Sequence, residues 1–123
     1  MDRVNLILLG NVQTPMAKLF EKLDTVLEEF KDKKVELVTD NIGKLHSYLR
    51  IYAEQKGLVL PRVYIVTARP SSRVIATDHM IKESLERGET VMVIFKYGTA
   101  PEVDLYIKVA LHYNIKILYV DLE

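Results

Sequence analysis

The chain has 123 residues and no cysteine. It therefore has no disulfide framework, no thiolate nucleophile and no cysteine-ligated metal. Long apolar runs are also lacking. The longest are strand-sized, far below the roughly 20 residues that a membrane-spanning helix needs. Met1-Asp2-Arg3 leads into a short apolar run without the basic leader, longer apolar segment and small-residue cleavage site of a signal peptide. A cytoplasmic location is the expectation. There is no excess charge of either sign: Lys plus Arg and Asp plus Glu each number 17. Nucleic-acid binders usually carry a basic excess because phosphate neutralisation drives their affinity. Single-stranded nucleic acid held by Arg62, Arg69, Arg73 and Tyr64 is accordingly the least favoured function.

Several catalytic signatures are missing too. No glycine-rich loop ends in Gly-Lys-Ser/Thr, and no Gly-x-Gly-x-x-Gly occurs, which removes the usual support for ATP hydrolysis and dinucleotide binding. The first predicted strand ends without acidic residues and the third without aspartate, unlike a phospho-acceptor receiver domain. His46, His79 and His112 fall on three different predicted helices without metal-ligand spacing, so no metal site is expected. Ser71 and Ser72 have no His/Asp partner in their motif, so a hydrolase triad has no support. No cofactor is expected.

What is present is alternation. Apolar content of 49% and charged content of 28% fit one folded domain over residues 1–123. Apolar runs at 4–9, 35–38, 63–68, 91–95 and 115–120 alternate with helical patterns. Met16, Leu19, Phe20, Leu23, Val26, Leu27 and Phe30 form one stripe, and Ile42, Leu45, Leu49 and Tyr52 another, closed by Gly57. A third helix is predicted over 72–87 and a fourth over 100–113, ending at Asn114. Strands this apolar need both faces covered. The predicted fold is α/β: a three-layer sandwich with a five-stranded parallel sheet and four helices on both faces. Right-handed crossovers leave two orders, 2-1-3-4-5 or 3-2-1-4-5. Glu36 and Lys116 mark the second and fifth strands as edges, which favours the first order.

In such a sheet ligands bind past the carboxyl ends of the strands, where helix N-termini present free N–H groups. The residues predicted there include Asn11, Thr14, Arg69, Ser71, Ser72, Arg73, Gly98 and Thr99, a set suited to an anion. Each hydroxyl has a second reading as a helix cap: Thr14 before Pro15, Ser71 or Ser72 for the third helix, and Thr99 with Glu102 as a capping box. Asp40 or Asn41 reads as the cap of the second helix. Arg69 and Arg73 fit capping least, because guanidiniums beside a helix N-terminus repel its positive end. Glu102 falls beside Tyr106, Val109, Ala110 and Tyr113 on the helical wheel. It reads either as a capping residue or as a catalytic carboxylate facing a bound hydroxyl or leaving group. The fourth helix is apolar around most of its circumference, so a homodimer through Leu105 and Val109 is expected.

The segment "MIKESLERGETVMVIFKYGTAPEVDLYIKVALHYNIKILYV" resembles the closing β-α-β of the SLOG superfamily of Rossmann-like domains. That superfamily includes cytokinin-activating phosphoribohydrolases and DNA-processing proteins. Gly98-Thr99-Ala100-Pro101-Glu102 is similar to an element of the nucleoside deoxyribosyltransferases. The resemblance implies order 3-2-1-4-5, a nucleotide-derived ligand and a nucleophilic Glu102. The functions carried forward are nucleotide-like anion binding, as a sensor or an N-glycosidic enzyme, and a dimeric interaction module without a small-molecule ligand.

Overall fold

Residues 4–9 are all buried, which requires a strand covered on both faces. The computed structural model describes residues 2–10, 13–67, 69–97 and 101–122. Its elements are β1 (Arg3–Gly10), α1 (Met16–Glu28), β2 (Lys34–Asp40), α2 (Leu45–Lys56), β3 (Arg62–Tyr64), α3 (Pro70–Arg87), β4 (Glu89–Lys96), α4 (Pro101–His112) and β5 (Lys116–Asp121). They form one parallel sheet of order β3-β2-β1-β4-β5. The predicted three-layer α/β fold is the observed one, in the second of the two orders.

Strand alternation divides the core. Val4, Leu6 and Leu8 of β1 and Val91, Val93 and Phe95 of β4 pack with Leu19, Leu23 and Val26 of α1 and Leu45, Leu49 and Tyr52 of α2. Ile7, Leu9, Met92 and Ile94 face the other way, against Met80 and Ile81 of α3 and Val103, Tyr106 and Ala110 of α4. Each large apolar side chain so buried contributes about 1.5–3 kcal/mol. Tyr52 Oη donates to Asp24 Oδ1 at 2.7 Å and ties α2 to α1. Tyr113 Oη donates to the Asp78 carboxylate and ties the end of α4 to α3.

Two sequence expectations are corrected. Glu36 does not mark an edge, since β2 lies between β1 and β3. Its carboxylate is neutralised where it stands. Arg62 Nη1 donates to Oε1 at 2.6 Å, Arg87 Nη1 reaches the same oxygen at 3.4 Å, and Arg3 Nη1 lies 3.7 Å from Oε2. An interior strand tolerates a charge held by three guanidiniums. The same pairing occupies Arg62, which sequence reasoning had offered to nucleic acid. The third strand is also shorter than its apolar run. Tyr64 pairs with Asp40, the last residue of β2, so the chain beyond it has no ladder to join. Asn41 Oδ1 instead accepts from Val66 N at 2.8 Å, and Ile65 is 80% exposed.

The seam between β1 and β4 is closest at its carboxyl end. Gly10 pairs with Phe95 and has φ +130°, and a Cβ there would lie 2.1 Å from the Phe95 carbonyl oxygen. Gly10→Ala must therefore open the seam. We expect it to lower the unfolding free energy by about 3 kcal/mol or more, read by urea denaturation.

Candidate functional site at the carboxyl rim

Because all five strands run the same way, the N-termini of all four helices lie toward one rim. Asn11, Gly98 and Thr99 fall outside the described residues. The remaining candidates separate into three groups. Arg73 and Glu102 belong to one cluster on the α3/α4 face. Arg69, Ser71 and Ser72 line a hollow of about 370 Å³ with Tyr64, Thr67 and His79, beside the end of β3. Thr14 lies across the sheet, lining a hollow with Gln13 and Lys18 of the α1 side.

Pro15, not Thr14, is the N-cap of α1, and the helix has no side-chain cap. Lys44 is the N-cap of α2, so neither Asp40 nor Asn41 caps it. Asp40 Oδ1 accepts from Ile42 N at 3.0 Å, which makes a local turn before the helix. Arg69 is the N-cap of α3, with Pro70 opening the helix. Ser72 Oγ accepts from Thr67 N at 3.1 Å, so it ties the incoming loop to the first turn.

The cluster on the α3/α4 face is built around Tyr106. Burial first, then the negative charge of Asp40, pushes its phenol up to about 12, with Arg73 opposing and Glu102 adding. Tyr106 is thus a neutral phenol at physiological pH, able to donate a hydrogen bond. Asp40 is buried at the end of β2, and burial holds its carboxyl above the usual range, partly offset by the Ile42 N–H and by Arg73 and His46. Arg73 Nε is buried without a hydrogen-bond partner. No ion pair within 4.0 Å joins Arg73 to Asp40 among the described residues, although the two interact electrostatically. Glu102 is half-buried in the first turn of α4. A cation, a buried acceptor and a phenolic donor therefore lie within electrostatic reach of one another.

Sequence reasoning missed Asp40 and Tyr106 as site residues. Asp40 had a ready explanation as a cap, and Tyr106 sat in an apolar stripe. The usable signal was an acidic residue ending a buried strand at the ligand rim. Among the described residues, no group of three His, Asp or Glu side chains is placed to hold a metal ion. No helix among them is long and apolar enough to cross a membrane.

No family model and no curated protein matches the sequence. Among solved structures, the chain is similar to a universal stress protein in complex with cAMP, at a TM-score of 0.51 and 13% identity, covering 97% of this chain and 98% of that one. It is also similar to MT0777, at a TM-score of 0.49 and 12% identity, covering 97% and 86%. The first likeness is one of fold: a Rossmann-like α/β domain. That is the fold class the SLOG resemblance implied, without support for SLOG membership in particular.

Asp40→Asn keeps an acceptor for the Ile42 N–H and removes the buried charge. The native carboxyl binds its proton more tightly in the folded than in the unfolded state, so stability falls as pH rises through that interval. Asp40→Asn is expected to be more stable than the native protein at neutral pH. The difference should vanish once pH falls below the ordinary carboxylate range. Urea denaturation at neutral and acid pH reads both.

Proposed function

We propose that the chain binds a nucleotide or a nucleotide-derived anion at the carboxyl rim, in the cluster of Asp40, Arg73, Tyr106 and Glu102. The observation that carries this reading is the buried, unpartnered Nε of Arg73 beside a buried carboxylate and a neutral phenol. A guanidinium suits a phosphate, with charge-assisted bonds stronger than neutral ones. Asp40 ends the strand next to β1, the position from which an acidic side chain reaches ribose hydroxyls in doubly wound sheets. The cAMP bound by a universal stress protein of similar fold is in keeping with this ligand class. Arg69 is the N-cap residue of the helix that carries Arg73, and Ser71 and Ser72 lie in its first turn; together they extend the polar surface along the rim.

A nucleotide panel read by thermal unfolding tests the reading. A ligand at a hundredfold excess over its Kd stabilises by about 2.7 kcal/mol. Arg73→Met should cost about 2 kcal/mol of binding, roughly thirtyfold. No shift with any nucleotide removes the reading. Glu102→Gln then separates a sensor from an N-glycosidic enzyme: binding persists in either case, whereas release of free base is lost only if the native chain catalyses it.

The dimeric reading draws on a different surface. Val74 and Ile75 of α3 and Leu105 and Val109 of α4 line a groove of about 460 Å³, with Asp78, Lys108 and His112 in its walls. Ile75 is 59% exposed and Leu111 66%. Charges of both signs around an apolar centre suit a surface that meets its own copy across a two-fold axis. In size-exclusion chromatography the native chain should elute as a dimer, and Ile75→Glu and Leu105→Glu as folded monomers. A native chain eluting as a monomer ends this reading.

A further inference from the structure

Thr14 is 93% buried, being 7% exposed, and its Oγ1 has no hydrogen-bond partner. An unpartnered buried hydroxyl carries a desolvation cost that natural sequences generally avoid. Its surroundings supply a reason to keep it. Thr14 lines a hollow of about 390 Å³ with Gln13, Pro15, Lys18, Tyr97 and Leu122. The hollow lies at the N-terminus of the 13-residue helix α1, on the opposite face of the sheet from Arg73 and Tyr106.

Three features of this end of α1 agree. The helix has no side-chain cap and no acidic residue in its first turn. The first intrahelical bonds run from Lys18 N and Leu19 N to Pro15 O, at 3.1 and 3.3 Å, which leaves the Met16 and Ala17 N–H groups for an outside acceptor. Lys18 adds a full positive charge and enters no ion pair among the described residues. Free N–H groups, the positive helix end, a cation and a hydroxyl donor together match a tetrahedral oxyanion. Tyr97 and Leu122 give the same hollow an apolar wall for an organic substituent.

We infer that the hollow at the start of α1 is a second anion site, in which the Met16 and Ala17 amides, Thr14 Oγ1 and Lys18 Nζ hold a phosphate group. This site is separate from the cluster around Arg73 and stands whether or not that cluster binds a nucleotide.

The test is an amide NMR titration of the full chain with inorganic phosphate and, separately, with phenyl phosphate. Saturable shifts of the Met16 and Ala17 amides are expected. Thr14→Val and Lys18→Met should each weaken binding about tenfold or more, Thr14→Ser should retain it, and Arg73→Met should leave it unchanged. Thr14→Val should also raise the thermal midpoint of the unliganded protein, which shows that its lost affinity is not lost folding. Tighter binding of phenyl phosphate than of phosphate identifies the ligand as an ester, and equal binding identifies it as the free ion. Absence of saturable shifts at Met16 and Ala17, or equal titration of the native chain and Thr14→Val, overturns the inference.

Discussion

The parallel pairing of β1 with β4 is the constraint on which the rest depends. The chain leaves β1 toward β2 and β3 on one side, and returns through α3 to lay β4 against β1 on the other. That reversal puts α1 and α2 on one face and α3 and α4 on the other, because each crossover keeps its right-handed sense. It also leaves a crevice at the carboxyl ends, where neighbouring loops turn to opposite faces. Gly10 permits the close approach at that end, since only hydrogen fits against the Phe95 carbonyl.

Polar groups are handled differently at the two ends of the sheet. At the amino end, Glu36 gathers Arg3, Arg62 and Arg87, and fully buried Asn5 donates from Nδ2 to the Ser84 and Glu89 carbonyls. The atoms left over there, Asn5 Oδ1 and Arg62 Nε, are an acceptor and a donor whose side chains both bond to Ser84. At the carboxyl end the leftover atoms are Thr14 Oγ1, His46 Nδ1 and Arg73 Nε, on three different helices or their approaches, and His46 and Arg73 both interact electrostatically with Asp40, whose carboxyl burial shifts upward. A fold can carry such unpaired capacity when a ligand completes it. That contrast supports the proposed site at the carboxyl rim.

Much of the fold was legible because its signals are local. Periodicity located every helix and strand, and the continuous apolar runs required two covered faces. The errors have one cause: each read a tertiary property from a local feature. Glu36 looked like an edge marker because its three arginines come from β1, β3 and α3 and are distant in sequence. Ile65 looked buried because its run is apolar, but burial depended on whether β2 continued beside it. Asp40 reads as a cap because a cap is a local motif, whereas its electrostatic interaction with Arg73 and Tyr106 joins three elements. Arg73 did stand out in sequence, because a cation at a helix start is locally unfavourable.

The sequence alone determined the element order, the parallel sheet and the two buried faces, because side-chain periodicity and the geometry of crossovers act over a few residues at a time. Only the tertiary structure decided the strand order, the division of the rim candidates between opposite faces, and which polar atoms remain without partners. Those properties depend on which distant side chains meet, and a buried donor or carboxylate acquires its energy from neighbours that no local pattern specifies.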